Sequence, residues 1–345
     1  MLVTSVLVAG LPDCNGPSPG PIPPGAYHPT LVTRARRYSF GLLVTLLLLA
    51  GSSRGAWAAT GAAVHAASNS LHAGDAVVLG VVEGVTEFLP ISSTGHLLVT
   101  GRILDLPSSG KAGDAVKSYE IAIQFGAILA VLVLYRRRVG VMFEGLVGRS
   151  AEGRQLLIAV AIAFVPAALV GVISDKVIKD VLFGTWPVVV AWTVGGAAVI
   201  ALSRTGRLAT PNGRTLDAFT TRDAVVIGLA QVLALWPGTS RSLVTIVAAL
   251  LLGASMTAAV EFSFLLGLVT LTAATGFEAL TSGKLMIDTF GIAVPLLGLV
   301  VAFVMAVVSI RWMISYLNHH DLAIFGWYRI AVAALVVVLL ATGAI

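Results

Sequence analysis

The chain has 345 residues, of which 57% are hydrophobic and only 11% charged; a soluble domain carries about 25% charged residues. A mean hydropathy of +0.95 and recurrent long apolar runs exclude a soluble globular protein and mark one integral membrane domain. The formal charge of +5 is spread over short loops between apolar runs, a topological signal rather than a nucleic-acid footprint, and the single cysteine, Cys14, excludes an internal disulfide.

The first sixty residues differ in kind from the rest. Residues 1–30 are rich in Pro and Gly, with Asp13 as the one charge. Arg34, Arg36 and Arg37 then precede an apolar core from Phe40 to Ala50 and the run Ala56-Trp57-Ala58. Basic region, short apolar core and A-x-A site spell a secretory signal peptide, with an uncleaved signal anchor as the alternative. Residues 1–58 are therefore expected to be an N-terminal extension, with Thr60 emerging outside, and 70–345 the polytopic domain.

That domain opens on a broken apolar stretch, 75–105, interrupted at Leu89-Pro90-Ile91-Ser92-Ser93-Thr94-Gly95. Three spans follow, roughly 118–135, 155–174 and 186–203. A second broken stretch, 223–254, is interrupted at Trp236-Pro237-Gly238-Thr239-Ser240-Arg241-Ser242, and three more spans follow at 258–280, 290–312 and 323–343. Pro and Gly end helices, and Ser and Thr satisfy the freed backbone groups. Each broken stretch reads as a re-entrant helical hairpin, tolerable where protein or a watery cavity covers the break.

Basic residues set the orientation. Arg136, Arg137, Arg138, Arg149 and Arg154 follow the first span, Arg204, Arg207, Arg214 and Arg222 follow the third, and Arg311 closes the fifth. These ends are cytoplasmic by the positive-inside rule. A hairpin plus three spans, occurring twice, gives halves of opposite orientation, about 75–203 and 223–343. The expected fold is thus an all-α integral membrane protein: six transmembrane helices plus two re-entrant hairpins in an inverted-topology repeat. Gly80-x-x-Glu83 followed by Phe88, Pro90 and Ser92-Ser93 echoes Gly228-x-x-Gln231 followed by Trp236, Pro237 and Thr239-Ser240. Glu120 to Gly126 echoes Glu261 to Gly267. Such repeats place their site near the midplane, where the hairpin tips meet.

The chemistry sits in those tips. Glu83 and Glu87, four residues apart, share one helix face, and an acid at membrane depth costs roughly 2.5–3.5 kcal/mol on insertion scales. A cation, proton or substrate group must compensate such a pair. Two carboxylates suit a hard divalent cation, Mg2+ or Ca2+, and Arg241 suits phosphate oxygens. The hydroxyls of Ser92, Ser93, Thr94, Ser240, Ser242 and Thr245, with turn N–H groups, can cradle an anion. With His96 as proton carrier, the parts for phosphoryl transfer are present. Plainer readings stand beside these: a structural ion network of Glu83, Glu87 and Arg241, helix capping by Ser92, Ser93 and Thr94, an interior hydrogen-bonded His96, structural roles for Glu120 and Glu261, and solvated His319, His320 and Asp321.

Gly80 to His96 and Ala234 to Ser242 resemble the two signature regions of the bacitracin-resistance family of bacterial undecaprenyl-diphosphate phosphatases. The run Ala259 to Leu266 and the pair Tyr328-Arg329 fit as well, and the resemblance covers about residues 70–345. It implies a multi-pass enzyme of the bacterial inner membrane that depends on a divalent cation. Such an enzyme hydrolyses undecaprenyl diphosphate to the monophosphate on the outer side. This recycles the lipid carrier for peptidoglycan and confers tolerance to bacitracin, which sequesters the diphosphate lipid. Carried over by position, Glu83 and Glu87 are the acidic site residues, candidates for metal binding or base work, Ser93 the nucleophile beside Ser92, His96 the acid/base, Arg241 the diphosphate-binding arginine, and Ser240 and Thr245 supporting hydroxyls. The chain departs from the family pattern at Leu243-Val244, where Gly-Ala is usual. Two alternatives compete: a polyprenyl-phosphate transporter or flippase, which inverted repeats also serve, and the membrane phosphatases with a nucleophilic histidine. The latter need a His soon after the arginine, and none follows Arg241 until His319. The resemblance leaves monomer or homodimer open.

The charge pattern predicts the sidedness of the loops. Single cysteines placed in 136–154 or 204–222, in a Cys14→Ser background, should resist an impermeant thiol reagent in intact cells, and cysteines in 60–74 should react. Labelling in 204–222 without labelling in 60–74 would overturn the inverted repeat.

Overall fold

The computed structural model describes residues 71–210 and 212–345, apart from the side chain of Lys179. The signal or anchor expected in 1–58 lies outside the described residues. Among these the chain is helical, with one isolated bridge between Arg214 and Ala254. The first broken pair is α1 (Ala73–Thr86) and α2 (Ser93–Ile103), followed by α3 (Gly110–Leu134), α4 (Arg136–Leu146), α5 (Ala151–Leu182) and α6 (Thr185–Arg204). The second pair is α7 (Thr221–Val232) and α8 (Arg241–Leu251), followed by α9 (Met256–Thr281), α10 (Gly283–Phe290), α11 (Ala293–Leu317) and α12 (Ala323–Ala341).

Six of these helices, α3, α5, α6, α9, α11 and α12, are long and apolar enough to cross a membrane. They coincide with the six expected spans, and the chain is a multi-pass membrane protein. α3 starts at Gly110 rather than near 118, because its polar first turns are helical too. The loops after the first and fourth spans hold short helices, α4 and α10, that the hydropathy pattern does not reveal.

The element order repeats: broken pair, long helix, short helix, two long helices. The packing repeats with it. α1 lies against α11, in the other half, and α7 lies against α5. The echoed glycines explain this exchange. A Cβ on Gly80 would stand 2.6 Å from the Gly298 carbonyl oxygen of α11, and one on Gly228 would stand 2.6 Å from the Ala163 carbonyl oxygen of α5. Between apolar helices in lipid, association rests on such close backbone approach. The largest buried cluster, which includes Phe88, Phe262, Phe264 and Ile246, lies beneath both breaks.

Ion pairs tie the ends of the long helices. Arg138 of α4 bonds Glu261 of α9 at 2.8 Å and Glu152 of α5 at 2.9 Å, so Glu261 has the structural role expected of it. Arg214 grips Asp223 of α7 with two bonds of 2.9 Å and donates to the Leu252 carbonyl at the end of α8. That guanidinium holds the Asp223 carboxyl well below the usual carboxylate range. His319, His320 and Asp321 are exposed, and Asp321 accepts from Ala323 N at the start of α12.

Gly80→Val and Gly228→Val should each destabilise the protein by about 1–3 kcal/mol through overpacking, read as thermal unfolding in detergent. Gly74→Val, where nothing lies within 4 Å of an added Cβ, is the control and should cost less than either.

Candidate functional site

The two breaks meet. Ser242 Oγ donates to the Leu89 carbonyl at 3.0 Å and Ser240 Oγ to the same oxygen at 3.4 Å. Arg241 Nη2 reaches Glu87 Oε1 at 2.7 Å, and Ser93 Oγ donates to Glu87 Oε2. Ser93, Glu87 and Arg241 thus form one chain of polar contacts joining α2, the first break and α8. The Arg241 guanidinium also lies 5.8 Å from the Phe88 ring, within cation–π range. Gly267 of α9 leaves the space it occupies: a Cβ there would stand 2.6 Å from Nη1.

Glu83 is fully buried, one helical turn before Glu87 on α1, and neither of its carboxylate oxygens has a hydrogen-bond partner among the described residues. The charged groups acting on it are Glu87, Glu120 and Arg241. No group of three His, Cys, Asp or Glu gathers at one point among the described residues, so the expected carboxylate pair remains a pair.

The two breaks start their second helices differently. Ser240 is the N-cap of α8, its hydroxyl accepting from Leu243 N at 3.2 Å. Ser92 holds the same place before α2 but makes no capping bond, and its backbone sits at φ 74°, ψ 104°. That region is costly for a residue with a Cβ and is found where surrounding structure enforces it. Of the residues read as caps of α2, Ser92 makes no capping bond and Ser93 turns its hydroxyl to Glu87; the serine that does cap is Ser240 at the other break.

His96 is buried, with Nδ1 2.6 Å from the Ser92 carbonyl and Nε2 3.0 Å from Tyr328 Oη. It also packs against Trp192, ring centroids 4.9 Å apart. The hydrogen bond from Ser93 goes to Glu87 rather than to this ring. Next to Tyr328, Arg329 is fully buried and donates to Ala191 O at 2.8 Å and Gly238 O at 3.0 Å. The pair Tyr328-Arg329 thereby holds one break through His96 and the other through Gly238.

A cleft of about 170 Å³ opens over these groups. Its walls include Glu87, Ser92, Ser93, Thr94, Ser240 and Arg241, together with Gln124 of α3 and Thr270 of α9. Ser242 and Thr245 face elsewhere: Ser242 joins the breaks, and Thr245 bonds Ser263 of α9 at 2.7 Å. Leu243, the departure from the family pattern, is packed in the core. Gln124 and Thr270 stand out as polar residues in apolar helices, but nothing local to the sequence says that they face this cleft. Tyr328 and Arg329 were visible only as part of the resemblance.

The arrangement can bind an anion at Arg241 and can deprotonate a hydroxyl at Ser93. A sequence profile of the family described as Bacitracin resistance protein BacA matches residues 76–335. A protein named undecaprenyl-diphosphatase from Sorangium cellulosum is 46% identical over 264 residues, covering 76% of this chain and 84% of its own. Undecaprenyl-diphosphatase 1 of Burkholderia lata is 42% identical (74% and 91% covered), and that of Chromobacterium violaceum 43% (75% and 93%).

Strain at Ser92 has a measurable consequence. Ser92→Gly should be more stable than Ser92→Ala by about 1 kcal/mol, the low end of the cost of such a backbone conformation. Thermal unfolding of both variants in the same detergent checks it; equal stabilities would remove the strain.

Proposed function

Because the chain belongs to the bacitracin resistance protein BacA family, we infer that it hydrolyses undecaprenyl diphosphate to undecaprenyl phosphate and inorganic phosphate, recycling the lipid carrier of cell-wall synthesis. One observation carries the site: Ser93, Glu87 and Arg241 are linked hydrogen bond to hydrogen bond on the wall of one cleft. Tolerance to bacitracin, which acts on the same lipid, follows from removing its target.

The residues divide the work. Arg241 offers Nη1, which has no hydrogen-bond partner among the described residues, to the diphosphate, while Nη2 stays on Glu87. Glu87 takes the proton from Ser93 Oγ as that oxygen attacks the terminal phosphorus. The bond from that phosphorus to the bridging oxygen breaks, and undecaprenyl phosphate leaves with the electron pair. Glu87 releases that proton to solvent; water then attacks the phosphoserine, Glu87 accepts the water's proton and passes it to Ser93 Oγ as the Oγ–phosphorus bond breaks, and inorganic phosphate departs with the serine hydroxyl restored. Ser92, Thr94 and Ser240 orient the phosphates. His96, fixed by Ser92 and Tyr328, sets the start of α2 and is the acid/base candidate for the leaving oxygen. A water activated by Glu83 and Glu87 is the alternative nucleophile.

A divalent cation belongs in this proposal. The buried, unpartnered carboxylate of Glu83 beside Glu87 fits such an ion, and Mg2+ in particular is often bound by one or two carboxylates plus substrate phosphates. When bound, it would neutralise charge on the phosphoryl oxygens. Glu83 and Glu87 would hold it; Glu87 and Arg241 would keep their pairing and align the phosphate.

The membrane is the bacterial inner membrane, the two broken pairs are re-entrant, and the cleft serves the outer face. The supports are the inward placement of the arginine loops and the exchange packing of the two halves. A flippase reading shares the repeat architecture but gives no use for the Ser93–Glu87 bond.

Glu83→Gln, Glu87→Gln and Arg241→Ala should each remove most phosphate release from a polyprenyl diphosphate in detergent while the protein still inserts. Near-normal turnover in all three would sink the assignment. Ser93→Ala should lower turnover by orders of magnitude, and Ser92→Ala far less; full activity in Ser93→Ala would leave water as the nucleophile.

A further inference from the structure

The two breaks differ in charge at one matched position. Gly80-x-x-Glu83 and Gly228-x-x-Gln231 align in the repeat, and the matched packing of Gly80 and Gly228 places Glu83 and Gln231 at equivalent points of α1 and α7. Glu83 belongs to the buried acid pair with Glu87 described above. Gln231 has no part in it so far, yet it lines the same cleft as Glu87, Ser93 and Arg241. It is 2% exposed, and neither its amide nitrogen nor its amide oxygen has a hydrogen-bond partner among the described residues.

A buried carboxamide without partners is costly, whereas an apolar side chain of the same size at the same place is not. A core position would favour Leu or Met. The carboxamide offers two N–H donors and one acceptor, and Arg241, which lines the same cleft, also has an unpartnered donor, Nη1, among the described residues. Two residues of one cleft lining that each carry an orphaned donor suit an oxyanion. An acid at this position, as in the other half, would instead repel one.

We propose that Gln231 is a substrate-contacting residue whose amide N–H binds a phosphate oxygen of the diphosphate beside Arg241. The repeat thus supplies an acid pair, Glu83 and Glu87, from one half and two anion-receiving groups, Gln231 and Arg241, from the other. The contact distinguishes diphosphate head groups by charge and shape and is blind to the lipid chain. This inference rests on the hydrolase reading given above.

The test compares wild type, Gln231→Met and Gln231→Glu as full chains in detergent. The readouts are hydrolysis of a C15 prenyl diphosphate, inhibition by inorganic phosphate, and thermal unfolding. A hydrogen bond to a charged group predicts a fall in kcat/KM of about ten-fold or more for Gln231→Met, weaker inhibition by inorganic phosphate, and a melting temperature at or above that of wild type. Gln231→Glu should fall further, since it adds a negative charge against the phosphate. Gln231→Met with kcat/KM within about five-fold of wild type, or with inhibition by phosphate unchanged, overturns the proposal while wild-type turnover keeps the hydrolase reading. Absence of phosphate release by the wild type itself would remove that reading, and this inference with it.

Discussion

The ion pair between Glu87 and Arg241 is the constraint on which the site depends. It joins the two breaks of the chain, 154 residues apart, at 2.7 Å in a nearly dry setting, with side-chain exposures of 7% and 12%. Desolvating two charges costs more than their attraction returns unless further bonds satisfy them. Glu87 finds such a bond in Ser93, and Arg241 finds the ring of Phe88. Removing either partner would leave a buried charge uncompensated, which costs about 3–5 kcal/mol in comparable pairs. The pair therefore fixes the register of one tip on the other, and one guanidinium nitrogen, Nη1, has no partner among the described residues.

Everything around the pair serves to hold that meeting point. Helices that pack in lipid lack a hydrophobic driving force between them and rely on close backbone contact. Gly80 and Gly228 provide it, each against the other half of the chain. The Leu89 carbonyl, freed by the break, accepts from both Ser240 and Ser242, so that backbone oxygen is not left unpaired in an apolar setting. Trp192 donates to the Ile91 carbonyl at 3.0 Å, and Arg329 to that of Gly238. A buried guanidinium is costly to desolvate, and the carbonyls it holds among the described residues offset part of that cost.

The site is asymmetric although the fold is nearly symmetric. The first half supplies two acids and a strained serine; the second supplies an arginine and a capping serine. At the matched position of the repeat, Glu83 of one half corresponds to the neutral Gln231 of the other. This suits a substrate whose diphosphate must be gripped at its oxygens and attacked at one phosphorus.

Much of this was legible from the sequence because membrane physics is written in composition and spacing. Six spans follow from the length of apolar runs, and the breaks from Pro, Gly and Ser clusters. The cost of Glu83, Glu87 and Arg241 at depth marked them as functional, and the structure brings Glu87 and Arg241 into direct contact. The helices α4 and α10 escaped, since short helices between spans leave no long apolar run. Sequence spacing also left Ser92, Ser93 and Thr94 equivalent as caps or ligands. Only the tertiary structure separates them, because the direction of a hydroxyl depends on the backbone angle at the break and on the helix packed opposite. The same holds for Gln124, Gln231 and Thr270: a polar residue in an apolar helix announces that it needs a partner, but which cleft it faces is decided by packing between helices far apart in the chain.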